Sequence, residues 1–175
     1  GGLYVKPNNT NYVTDVINCR IENNLAGNYG GGVYMAYSVN MVGCNIANNT
    51  SSYNGGGVYA PSSYNNIISC NIVNNLTTST STSYNGGLYI TGSNSNVTNS
   101  IVWGNKRGDG IASNCSAASN VVVSYSAVQG GYAGTGKTTL VKFIVDELEL
   151  CDSSVVYIAY TGKAALVLRN KGCTN

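Results

Sequence analysis

The chain has 175 residues, with nine Lys and Arg against seven Asp and Glu, no His, and a formal net charge of +2. That balance gives no electrostatic case for binding nucleic acid or a membrane surface, and the lack of histidine excludes a His-based triad and a His-containing zinc site. The six cysteines, Cys19, Cys44, Cys70, Cys115, Cys151 and Cys173, form no C-x-x-C pair, which argues against zinc altogether.

Charge also divides the chain. Seven charged residues lie in 1–130 (Lys6, Asp15, Arg20, Glu22, Lys106, Arg107, Asp109) and nine in the last 45 residues, so two compositions are joined end to end. The chain opens directly on GGLY, without a basic start or an apolar signal core, and no run approaches the ~20 apolar residues of a membrane helix. If the front half is exported, its leader is expected to lie outside these residues.

Residues 1–130 read as a repeat. The string GG(L/V)Y occurs at Gly1–Tyr4, Gly31–Tyr34, Gly56–Tyr59 and Gly86–Tyr89, with starts 25 to 30 residues apart. Each copy is followed by a second string: INCRIENN (17–24), VGCNIANN (42–49), ISCNIVNN (68–75) and the weaker TNSIVWGN (98–105). Two β-like runs per unit, separated by Gly, Asn and Ser turns, suit one coil of a parallel β-solenoid. No single coil can bury its inward row, but stacked coils pair backbone at about 4.8 Å and align like residues into ladders. A fifth, degenerate coil is expected over Gly108–Gly130 with VVVSYSAV as its strand, giving four to five coils.

Strand alternation puts Cys19, Cys44 and Cys70 on the face of Ile21, Ile46 and Ile72, which is read as the core. The cysteines then act as small buried reduced hydrophobes, because in-register parallel strands aim their Cβ vectors alongside each other rather than together. The pairs Asn23–Asn24, Asn48–Asn49 and Asn74–Asn75 fall at turns, where asparagine tolerates left-handed backbone and amides stack as ladders. Tyr4, Tyr34, Tyr59 and Tyr89 form an outward stripe, read first as a stabilising aromatic ladder and second as a platform for sugar rings. Lys106–Arg107 is read as a solvated loop pair ahead of a sulfate or uronate seat.

No catalytic residue is assigned. Only Asp15, Glu22 and Asp109 carry carboxylates before residue 130, and their spacing assembles neither the calcium cluster of a lyase nor the carboxyl pair of a glycosidase.

On GG(L/V)Y and the recurring C-N-I string, residues 1–130 resemble the right-handed parallel β-helix repeat proteins of bacterial surfaces and secretions, including the polymorphic outer-membrane type. The resemblance implies an extracellular or cell-surface setting and a surface or carbohydrate partner. In some members it also implies polysaccharide lyase or hydrolase activity.

Residues 131–175 change pattern. Gly131-Tyr-Ala-Gly134-Thr-Gly136-Lys137-Thr138 fits the G-x-x-x-x-G-K-T phosphate-binding loop. Its glycines let backbone N–H groups converge on phosphate oxygens, Lys137 would reach the β- and γ-phosphates, and the Thr138 hydroxyl would join Mg²⁺, with Thr139 beside it. Leu140, Ile144, Val145 and Leu148 fall on one face of a helix over 137–150, whose N-terminus would point at the phosphates. A buried-type strand VVYIAY (155–160) and a second short helix ending at Gly172 complete a C-terminal α/β P-loop fragment.

This tail resembles the first two motifs of ATP-dependent DNA helicases related to the exodeoxyribonuclease V alpha subunit. The resemblance implies ATP or ADP with Mg²⁺ at Gly131, Gly134, Gly136, Lys137, Thr138 and Thr139, and single-stranded DNA near Thr161 and Lys163. A helicase also needs a later acidic motif, an arginine finger and a second motor domain. The sequence stops at Asn175 without them, so hydrolysis, unwinding and DNA binding are expected to be lost by truncation.

The residues ahead of the loop, SYSAVQG, read as solenoid rather than as the continuous apolar strand a P-loop follows. The repeat and the helicase motif overlap at GGYAGTG, so the expectation is a chimera joined in that shared string. The fold expected is mainly β: a right-handed parallel β-helix over 1–130 with a P-loop segment over 131–175. The leading functional expectation is a non-enzymatic surface or interaction module. Nucleotide binding without turnover and a polysaccharide-active enzyme stand as alternatives, and open solenoid ends give a route to self-association.

Overall fold

The computed structural model describes residues 1–7 and 12–131. The expected tail elements, the helix over 137–150, the strand over 155–160 and the helix ending at Gly172, lie outside the described residues, as do Gly134, Gly136, Lys137, Thr138, Thr139, Thr161 and Lys163.

Short strands follow one another around five coils. The first coil holds β1 (Leu3–Val5), β2 (Thr14–Ile17), β3 (Arg20–Glu22) and β4 (Leu25–Ala26). The second holds β5 (Val33–Met35), β6 (Val39–Val42), β7 (Asn45–Ala47) and β8 (Thr50–Ser51). The third holds β9 (Val58–Ala60), β10 (Asn66–Ile68), β11 (Asn71–Val73) and β12 (Leu76–Thr77). The fourth holds β13 (Leu88–Ile90), β14 (Asn96–Thr98) and β15 (Ile101–Trp103), and the fifth β16 (Cys115–Ala117), β17 (Val122–Ser124) and β18 (Ala127–Val128).

Each strand hydrogen-bonds to its counterpart one coil away, in parallel. The sheets run β1-β5-β9-β13-β16, β2-β6-β10-β14-β17, β3-β7-β11-β15-β18 and the shorter β4-β8-β12. Register follows the repeat: Tyr4 faces Tyr34, Ile21 faces Ile46 and Ile72 faces Val102. The result is a solenoid of five turns, with no helix among the described residues.

Each coil therefore carries three or four strands, not the two runs expected, and left-handed corners explain the difference. The first corner recurs at Asn18, Gly43, Ser69, Asn99 and Tyr125, and the next at Asn23, Asn48, Asn74, Gly104 and Gly130, all with positive φ. One such residue turns the chain sharply enough to end a strand, and it is cheap only for Gly and Asn. The run VVVSYSAV is cut in the same way: Tyr125, at φ 47°, separates β17 from β18.

The core is the set of inward rows. Met35, Ala60 and Ile90 come from the first sheet, Met41, Ile67 and Val97 from the second, and Ile46, Ile72 and Val102 from the third, all with no exposed surface. Full burial of one such Ile or Met side chain contributes about 1.5–3 kcal/mol, and stacking repeats the gain coil by coil. Cys44 and Cys70 lie in this core as expected, whereas Cys19, one coil earlier, is exposed.

The motif glycines are there for space. A Cβ on Gly56 would run into the carbonyl oxygens of Gly86 and Leu76, since the coils touch backbone to backbone at this point.

Candidate interaction surface

Side-chain ladders run along the axis, among them one at each of the two corners and one on the first sheet. At the second corner a buried chain of amides passes from coil to coil: Asn24 Nδ2 donates to Asn49 Oδ1 (2.9 Å), Asn49 Nδ2 to Asn75 Oδ1 (3.0 Å) and Asn75 Nδ2 to Asn105 Oδ1 (3.0 Å). Each oxygen also accepts the backbone N–H of the preceding rung, and Nδ2 of Asn49, Asn75 and Asn105 donates again to the carbonyls of Ile21, Ile46 and Ile72. In the last coil Asn114 replaces the regular rung, and its amide meets Gln129 Oε1 at 3.3 Å. Gln129 Oε1 also accepts the Gly104 N–H at 2.8 Å and so closes the ladder.

The first corner has a second ladder. The N–H of Cys19 points at Cys44 Sγ (3.4 Å), that of Cys44 at Cys70 Sγ (3.4 Å), that of Cys70 at Ser100 Oγ (3.1 Å) and that of Ser100 at Ser126 Oγ (3.1 Å). Cysteine and serine do one job here: each accepts one amide and donates to a carbonyl two residues back. Burial pushes the Cys70 thiol up to about 11 and the Cys115 thiol up to about 12, the opposite of what a nucleophile or a thiolate metal ligand needs.

The third ladder faces outward. Ring centroids of Tyr4 and Tyr34, Tyr34 and Tyr59, and Tyr59 and Tyr89 are each 5.1 Å apart. A second row, which the sequence reading missed, stands beside it: Tyr29 to Tyr53 at 5.4 Å and Tyr53 to Tyr84 at 5.1 Å. Tyr29 stacks on Tyr59 at 4.6 Å and ties the two rows together. The available signal was the tyrosine ahead of each glycine run, in NYGG, SYNGG and SYNGG at 28–31, 52–56 and 83–87. Removal from water raises the Tyr34 and Tyr59 phenols above their ordinary value, and neighbouring tyrosines add to the shift.

The carboxylates stay apart. Asp15 accepts from Asn40 Nδ2 at 3.0 Å, Glu22 pairs with Arg20 at 2.7 Å, and Asp109 pairs with Arg107 at 2.9 Å. The hydrogen bond from Arg20 lowers the Glu22 carboxyl and that from Arg107 lowers Asp109, so neither suits a general acid. Arg107 is engaged in this pair rather than in a free basic loop with Lys106. Among the described residues no group of three or more His, Cys, Asp or Glu is placed to hold a metal ion.

Of the residues expected to bind nucleotide, Gly131 alone is described. It is exposed, has φ 85°, and its N–H donates to the Val128 carbonyl at 3.0 Å, closing a turn through Gly130 directly after β18.

A family model for the right-handed β-helix region matches residues 1–141. The chain belongs to the right-handed β-helix family. A model for an AAA domain matches residues 114–174, and the two matches overlap over 114–141. Within that overlap the described residues, 114–131, form the fifth turn of the β-helix: β16, β17, β18 and Gln129. No curated protein and no solved structure matches the chain.

Proposed function

We propose that this chain is a non-enzymatic β-helix interaction module, and that its contact surface is the double row of tyrosines on the first sheet and on the segments that lead into it. The carrying observation is the seven-ring array: Tyr4, Tyr34, Tyr59 and Tyr89 on a sheet whose strands contain no charged residue, with Tyr29, Tyr53 and Tyr84 beside them. Large amphipathic rings held by a rigid scaffold offer contact area at little entropic cost, which favours them at binding surfaces. The dispersed carboxylates argue against a polysaccharide-cleaving enzyme.

The outer row is the place to test this, because Tyr53 is exposed and contributes little to the core. Wild type and the Tyr53→Ala/Tyr84→Ala pair are compared for retention on immobilised neutral polysaccharides and proline-rich peptides. Retention of wild type that weakens at least tenfold in the pair supports the reading; equal retention of both proteins overturns it.

The second reading is nucleotide binding without turnover at the P-loop of 131–138, with Mg²⁺ held through Thr138. The AAA-type match over 114–174 favours it. Against it stands the interrupted β17–β18 segment where a P-loop domain carries one continuous strand. This pattern fits a segment joined to the β-helix within GGYAGTG; a continuous native transcript across 125–140 leading into a complete helicase would overturn that origin.

A further inference from the structure

Tyr53 and Tyr84 occupy equivalent turns of successive coils, each just ahead of an Asn-Gly-Gly run. Their ring centroids are 5.1 Å apart and their planes are tilted by 48°. Among the described residues, Tyr53 is the ring partner of Tyr84. The residues that follow hold the two turns together: the Asn85 N–H donates to Asn54 Oδ1 at 2.8 Å, and the Gly55 N–H to the Asn85 carbonyl at 2.8 Å. Asn54 and Asn85 are buried, whereas Tyr53 is 40% exposed, so a fixed pair of turns carries two phenols side by side at the surface.

We infer that Tyr53 and Tyr84 form a site of oxidative cross-linking, at which a one-electron oxidant driven by peroxide joins their rings through a carbon–carbon bond. Each phenol gives up one electron and its hydroxyl proton. The two phenoxyl radicals couple between ring carbons ortho to oxygen, and the proton displaced from each of those carbons returns to its own oxygen. Hydrogen peroxide takes up the two electrons and two protons and leaves as water. This modification goes beyond the contact-surface reading and does not rest on it.

The geometry selects this pair within the array. In the coupled product the two rings lie edge to edge and twisted, because the oxygens beside the new bond crowd each other when the rings are coplanar. Tyr53 and Tyr84 are already tilted in that sense, whereas Tyr59–Tyr89 and Tyr29–Tyr59, at 18° and 19°, present faces and must leave their stacks to react. Tyr4 and Tyr34 are tilted by 47°, but they stand on β1 and β5, whose pairing fixes both backbones. Tyr29 and Tyr53 are farther apart, at 5.4 Å. Tyr53 and Tyr84 belong to no strand, so no strand register opposes the turn of one ring toward the edge of the other. The described cysteines are all free, and a Tyr53–Tyr84 bond would tie the turns that enter the third and fourth coils, restricting the unfolded chain as a disulfide does.

The test treats the dilute full chain with a haem peroxidase and hydrogen peroxide and isolates the monomer by gel filtration. The expected monomer shows dityrosine fluorescence, a peptic peptide pair lighter by two hydrogens that maps to Tyr53 and Tyr84, and a urea midpoint above that of untreated protein. Tyr53→Phe and Tyr84→Phe keep the rings but remove one phenol each, and both should abolish the mapped bond and the midpoint shift. Tyr125→Phe, outside the array, should change neither. Dityrosine confined to dimers and larger species, a monomer bond mapped to another pair, or monomer fluorescence undiminished in Tyr53→Phe would overturn the site, as would a monomer with no dityrosine. A mapped bond that leaves the urea midpoint in place would overturn its role as a staple. No ligand enters this experiment, so its failure leaves the retention test of the contact surface unaffected.

Discussion

Asn75 donates from Nδ2 to Oδ1 of Asn105, 3.0 Å away and 30 residues later in the chain, and the same oxygen accepts the Asn75 backbone N–H at 2.8 Å. Both asparagines are buried, so each rung satisfies the polar atoms of the one before it, and removing one leaves its neighbours unpaired in the core. Asn75→Leu strips the backbone N–H and side-chain amide of Asn49 of their acceptor. At about 1–3 kcal/mol for each buried group left unsatisfied, it should destabilise the solenoid by about 2–5 kcal/mol in urea unfolding. Gln129→Ala, at the partly buried end of the same ladder, should have a smaller effect of about 1 kcal/mol. Equal losses in the two variants would contradict the ladder as the source of the effect.

The thiol ladder gives a graded prediction. Ser100 already occupies the position of Cys70 one coil on, so Cys70→Ser should stay within about 1 kcal/mol of wild type, whereas Cys70→Ala leaves the Cys44 N–H without its acceptor and should lose about 1–3 kcal/mol. In native protein, peptide mapping after maleimide treatment should find Cys19 labelled and Cys44 and Cys70 untouched until the chain unfolds.

Alkali should destabilise the fold through Cys70 and a second thiol outside the ladder, Cys115. Cys70 stands at about 11 and Cys115 at about 12 in the folded chain, both above the ordinary thiol value of about 8.5. Between those values the unfolded chain has released protons that the folded chain still holds, so stability is complete below about pH 8.5 and falls as pH rises toward 11 and 12. Urea midpoints measured across that range should fall, and Cys70→Ser should flatten the slope. A slope unchanged in the variant would assign the loss to Cys115 and the tyrosines instead.

Tyr125 holds a left-handed corner, at φ 47°, that Asn18 and Asn99 fill elsewhere, and the residue is 58% exposed. Left-handed backbone costs a bulky residue about 1–2 kcal/mol, and little packing is lost with this ring. Tyr125→Asn should therefore raise the unfolding midpoint by the equivalent of about 1 kcal/mol. A lowered midpoint would show that the exposed ring is covered by something that stabilises it.

For the nucleotide reading, the decisive measurement is calorimetry with Mg²⁺·ADP on wild type and Lys137→Ala. The leading reading expects no binding heat from either protein. Micromolar binding that Lys137→Ala abolishes would move the P-loop reading into first place.

The repeat was legible because a solenoid writes its period directly into the chain. The recurrence of GG(L/V)Y and of the C-N-I string set the coil length, the in-register rows and the inward position of Cys44, Cys70, Ile46 and Ile72. The outward tyrosine stripe followed from strand alternation alone. The strand count did not, since alternation reads straight through a single left-handed residue; only the backbone showed that Ser69 and Tyr125 turn corners as Asn18 does. The second tyrosine row also escaped, because Tyr29, Tyr53 and Tyr84 lie in turns, where no periodicity says which way a side chain points.

Sequence by itself thus determined the fold class, the core rows and the asparagine ladder, all of which depend on which residue recurs at which interval. Tertiary structure decided what happens where recurrence fails. It exposed Cys19 in the first coil, joined Gln129 to the amide ladder, and put Ser116 in register with Tyr89 where the other coils carry a tyrosine. The physical reason is that a ladder's interior is fixed by identical neighbours on both sides. At a rung where the next residue differs, the outcome depends on which atoms the neighbouring coil brings within reach.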